Sequence, residues 1–122
     1  MVNRSDWPWP DDLDGVRAAP ESHLVLVENE AVRTLEVVIP PGHREPLHTH
    51  RWPSVMIVDR PARIRYYGSH GDLEFESPPH LEGPGPAEAA LRVEWLEAEG
   101  PHSVENVDDV LYHAIRVELK GR

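Results

Sequence analysis

The chain has 122 residues, enough for one domain with a real core and too few for two substantial ones. Its 22 acidic against 12 basic residues leave a net charge of -10, which repels phosphate backbones and anionic headgroups: no nucleic acid and no membrane partner is expected, and a small molecule fits better. With no cysteine there is no disulfide, and any metal must be held by nitrogen and oxygen ligands.

The start, Met1 to Trp7, lacks the apolar run of a signal peptide, and no stretch approaches the roughly 18 apolar residues of a membrane span, so a soluble, cytoplasmic protein is expected. Residues 1–22 read as an N-terminal arm. Trp7-Pro8-Trp9-Pro10 and the acidic Asp11-Asp12-Leu13-Asp14 are neither strand-like nor strongly helical, and the indoles need a surface to pack on. Residues 23–122 read as one barrel domain. His23 to Glu28 and Ala31 to Ile39 are β-branched and aliphatic, with Glu28-Asn29-Glu30 as a hairpin turn. Pro40-Pro41-Gly42 stops the second run. Further strands are predicted at Ser54 to Val58, Pro61 to Tyr67, Asp72 to Glu76, Leu91 to Glu97 and Val110 to Lys120. Residues 77–90 form the longest loop, and Gly100-Pro101 a turn. Short strands separated by turns predict an all-β sandwich or barrel.

The chemistry concentrates in His48-Thr49-His50. On an extended strand the two imidazoles point the same way, about 7 Å apart along the backbone, so they can share one ion. A third ligand must come from a distant strand, and His102 is the candidate. Alternation places Ile64 and Tyr66 inward, Trp52 inward as a pocket wall, and His113 on an apolar face with Leu111, Ile115, Val117 and Leu119 that should look inward. Tyr66 and His113 are the candidate catalytic groups, and Met56 joins Trp52 as a pocket residue. His23, His70 and His80 are read as solvated, and His43 as exposed. Asp11-Asp12 and Asp108-Asp109 read as surface charge. No nucleophile elbow, phosphate-cradling glycine loop or zinc-protease helix is present.

Gly42, five residues, then His48-Thr49-His50 resembles the first half of the cupin family's first motif, and His102 with Asn106 resembles the close of its second. The resemblance spans residues 22 to 120. It implies a double-stranded β-helix of the jelly-roll kind and one divalent metal per chain on His48, His50 and His102. Two positions depart from the family's pattern. Where many cupins carry a glutamate ligand this chain has Ser54 or Val55, and Glu97-Ala98-Glu99-Gly100 replaces the proline-glycine turn before His102. Without the acid the likeness narrows to three-histidine dioxygenases such as cysteine dioxygenase and the diketone-cleaving dioxygenase. It implies iron(II), with zinc, nickel, manganese or copper as alternatives, and an anionic or enolisable substrate. The competing readings are a metal-containing binding protein without redox activity, and a metal-dependent isomerase or lyase. The resemblance also implies a homodimer, with the tryptophan arm a natural participant.

Overall fold

A computed structural model describes residues 7–77 and 92–121. The arm forms a 3-10 turn at Asp11–Leu13 and a single helical turn, α1, at Gly15–Ala18. Among the described residues nine strands follow: β1 His23–Glu28, β2 Val32–Ile39, β3 His48–His50, β4 Ser54–Arg60, β5 Ile64–Tyr67, β6 Leu73–Glu76, β7 Arg92–Leu96, β8 Glu99–Asn106 and β9 Tyr112–Leu119. The all-β expectation holds, and no helix of the described residues is long and apolar enough to cross a membrane. The predicted hairpin is present: the Asn29 side chain accepts from the backbone amides of Ala31 and Val32, closing β1 onto β2. Gly42 takes φ +79°, which a side chain would resist, and turns the chain out of β2 toward β3. His80 and nearly all of the predicted 77–90 loop lie outside the described residues.

The strands make two antiparallel sheets, ordered β1-β2-β9-β4-β7 and β3-β8-β5-β6. Between them Val37, Ile39, Met56, Val58 and Ala114 form an apolar core on the five-stranded side. This core floors a cavity of about 420 Å³. The expected Gly100-Pro101 turn is instead part of β8. His48 pairs with His102 while His50 pairs with Glu99, so one residue of β3 faces two of β8 and a bulge falls at Gly100-Pro101. A bulge tolerates proline, whose missing amide would otherwise break the ladder. It also lets Glu99 and His102, three residues apart, both line the cavity.

The faces of β9 are reversed relative to expectation. Ala114, Arg116 and Glu118 are buried and look inward, whereas His113, Ile115 and Val117 lie on the outer side and are only half-buried. Neighbouring strands agree. Leu24 on β1, and Val93 and Trp95 on β7, are exposed at 58, 64 and 54%. Pairing aligns Leu24, Glu36, Ile115, Ile57 and Val93 in one row across the sheet, with Thr34, Val117, Val55 and Trp95 in the next. The apolar side of β9 is therefore the outside, because the inside is occupied by the polar groups of a site.

Candidate metal centre

Four imidazoles meet in the cavity. His48 and His50 come from β3, His102 from β8 and His23 from the first residue of β1, and all four are buried. Ring centroids lie 4.7 Å apart for His23 and His48, 5.1 Å for His23 and His50, and 5.1 Å for His48 and His50. His102 closes the group at 4.4 Å from His48 and 5.5 Å from His50. Ligand atoms of His23, His48 and His50 fall within 4.8 Å of one another.

Each ring is anchored through the same nitrogen. Nδ1 of His48 reaches the Pro46 carbonyl at 2.9 Å, and Nδ1 of His102 the Gly100 carbonyl at 2.7 Å. Nδ1 of His50 meets Glu118 Oε2 at 3.1 Å, and Nδ1 of His23 sits 3.1 Å from the Ala19 carbonyl and 3.0 Å from Ser22 Oγ. A carbonyl or carboxylate at Nδ1 fixes the tautomer with the proton there and leaves the Nε2 lone pair for an ion. The donor set therefore fits a divalent metal of the kind imidazole favours, iron, zinc, nickel or copper.

Electrostatics point the same way. Burial, followed by the neighbouring His48, pushes His23 down to about 3. Burial and the Arg116 guanidinium hold His50 well below its ordinary value, and burial lowers His48 and His102 despite Glu45 and Glu99 beside them. All four rings are thus neutral at neutral pH, the form that ligates.

A polar wall flanks the rings. Arg116 donates from Nε to Ser54 Oγ at 3.0 Å and from a terminal nitrogen to Glu99 Oε1 at 2.8 Å, and Tyr66 donates its hydroxyl to Glu99 Oε2 at 2.8 Å. Ser54, one of the two positions where the resemblance would put an acid, thus accepts from the Arg116 guanidinium. Burial would raise Glu99, but Arg116 and His102 outweigh it and hold it below its usual range. Burial and the Glu99 charge push Tyr66 up, so its phenol stays protonated. Across the cavity Glu45 accepts from Ser22 Oγ at 2.7 Å, with Oε1 3.8 Å from His48 Nε2, and burial raises it.

Of the residues expected in the site, His48, His50, His102, Tyr66 and Met56 line the cavity, and the Tyr66 ring stacks on His102 at 4.9 Å. Trp52 does not line it. β3 ends at His50, so alternation does not carry on to Trp52, whose ring lies instead beneath Arg33 at 5.0 Å. His113 also points away, its ring bonded to Asp59 and, at 2.8 Å, to Glu36 on the outer face. Burial works against the charge on His113, but the two carboxylates outweigh it and raise its pKa. His23, read as solvated, belongs to the cluster. No clear signal in the sequence marks it: His23 shares a face with Val25, but Leu24 and Leu26 on the other face are also apolar, and only their exposure in the structure shows which side is inside. Asn106 is structural, its amide donating to the Ile39 and Val110 carbonyls.

No family model and no curated protein matches the chain in sequence. Solved structures match its fold. A cupin domain from Bordetella pertussis is 20% identical with a TM-score of 0.62, over 80% of this chain and 91% of that one. An RmlC-like cupin with a double-stranded β-helix from Methanocaldococcus jannaschii is 12% identical with a TM-score of 0.56, over 80 and 77%. The polyketide cyclase RemF from Streptomyces resistomycificus is 20% identical with a TM-score of 0.53, over 98% of this chain and 78% of that one. The fold is that of the cupins.

Proposed function

We propose that, on this cupin fold, the chain is a metal-dependent enzyme of the isomerase, lyase or cyclase kind. It would hold one divalent ion on His23, His48, His50 and His102 and act on a small enolisable molecule, foremost a 1,3-dicarbonyl compound. The observation that carries this reading is the fourth imidazole. Four nitrogens on a six-coordinate ion leave two positions, which a chelating dicarbonyl fills, whereas dioxygenation with that chelated substrate and oxygen both bound needs a third. The likeness to a structure named as a polyketide cyclase supports the substrate class.

When bound, the metal would supply Lewis acidity toward a carbonyl oxygen. The chain's own groups would do the rest. Ile39, Met56, Val58 and Phe75 give the carbon skeleton an apolar wall. The Glu99-held Tyr66 hydroxyl and Arg116 face the oxygen-rich side. Glu45 Oε1, beside His48, is the group placed to hold the α-proton. The test is exchange of the α-hydrogens of pentane-2,4-dione for deuterium, followed by NMR with metal-loaded and metal-stripped protein. Metal-dependent exchange that falls in Glu45→Gln is expected; equal rates with and without metal would refute it.

The notion of a mononuclear iron(II) dioxygenase has one observation in its favour, the tighter grouping of His23, His48 and His50. Three ligands would leave room for oxygen. Oxygen uptake by iron-loaded protein with the diketone, absent with zinc, would establish it. Bound metal with neither uptake nor exchange would leave a binding protein.

For the assembly we infer a pair of copies meeting through the outer face of the five-stranded sheet. In a chain of net charge -10, two like-charged copies approach most easily where charge is absent, and the two aligned rows there hold Glu36 as their one charged residue. Dimers in sedimentation that dissociate in Trp95→Asp are expected; a wild-type monomer at micromolar concentration would overturn it.

A further inference from the structure

The arm reaches the metal centre at two points. Asp14 is a bidentate partner of Arg33, each oxygen accepting from a terminal guanidinium nitrogen at 2.9 Å. Arg33 Nε donates to Glu118 Oε1, and Glu118 Oε2 accepts from His50 Nδ1. Glu118 is fully buried and Arg33 nearly so. Asp14 also caps α1 by accepting from the Val16 amide, and its backbone bridges to Thr49, the residue between the two β3 histidines. The next residue, Gly15, is buried against the rings. A methyl group there would lie 3.1 Å from His50 Cε1, 3.3 Å from His23 Cδ2 and 3.4 Å from His48 Cδ2. Its φ is not in the left-handed region, so glycine is required for space, not for backbone conformation.

We propose that the N-terminal arm is a working part of the metal centre: Glu118, oriented by Arg33 and Asp14, supplies through His50 the negative charge that an all-imidazole ligand set lacks, and Gly15 sets how closely His23, His48 and His50 can gather. The inference rests on the metal reading above. A carboxylate at the outer nitrogen of a ligating imidazole makes the ring a stronger donor, and losing such a partner typically weakens metal affinity by about 10–100-fold. Glu118 is fully buried and two links of the network from Asp14, whose side chain is 16% exposed, so the two positions grade the effect.

The test is titration of the purified full chain with cobalt(II), reading the d–d absorption and the dissociation constant. Glu118→Gln should weaken cobalt binding by about 10–100-fold, and Asp14→Asn by a smaller factor in the same direction. Gly15→Ala should shift the d–d band, while Gly121→Ala, which meets nothing within 4 Å, should leave it unchanged. Circular dichroism of the metal-free variants separates loss of fold from loss of affinity. If Glu118→Gln fails to fold, Asp14→Asn and Gly15→Ala decide. Folded variants with wild-type affinity and an unshifted band would overturn the role of the arm; wild-type protein that binds no cobalt would instead overturn the metal reading.

Discussion

His50 and His113 each meet a carboxylate of the five-stranded sheet, on opposite faces, with opposite results. Inside, Glu118 accepts from His50, yet burial and Arg116 keep the ring neutral. Outside, where His113 is half-buried, burial opposes the charge but Asp59 and Glu36 outweigh it, raise its pKa and favour the imidazolium. A carboxylate partner does not by itself charge a histidine; the dielectric around the pair decides. The inner pair is suited to hold an ion and the outer one to neutralise two acids on a face that is otherwise apolar.

Removing a ring from each side breaks the comparison most sharply. His48→Ala should abolish stoichiometric metal in elemental analysis of protein purified without added metal, and His113→Ala should keep it. Equal metal in both would erase the distinction. Trp95→Asp on the outer face should shift the sedimentation coefficient from dimer to monomer without changing metal content.

Smaller effects follow from pH. For the metal-free protein, the inner rings have folded pKa values below the unfolded one. Their contribution is therefore fully present above about pH 6.5 and is lost as pH falls toward the folded value, about 3 for His23. Thermal melts between pH 7 and 4 should show this decline, and it should be shallower in His23→Gln. His113 runs the other way. Its raised pKa gives stability present below about pH 6.5 and lost as pH rises through the folded value. Because the group is partly exposed, the change should be the smallest of the set, on the order of a surface ion pair at up to 1 kcal/mol. It is measured as the difference in melting temperature between wild type and His113→Gln at pH 6 and pH 8.

How much of this was legible varied by residue. Most strand positions followed from β-branched runs and turns, β8 with its Gly100-Pro101 bulge excepted, and His48 and His50 from a spacing that brings two rings to one place even where the ladder is irregular. Arg116 and Glu118 were hidden, because in Val110 to Lys120 the apolar residues look like the core face until the partner strands show the polar side to be enclosed. His23 was hidden for the same reason, alone at the head of a strand whose leucines face out.

What the sequence by itself determined was local: period-two strands, proline and glycine turns, and a pair of histidines whose proximity needs only a short extended backbone. The tertiary structure alone decided which face of each strand is inside, that β1 delivers His23 to that pair beside the expected His102, and that the arm's Asp14 and Gly15 close beneath it. The physical reason is that burial and ligand geometry depend on contacts between segments far apart in the chain, and one residue of register reverses them.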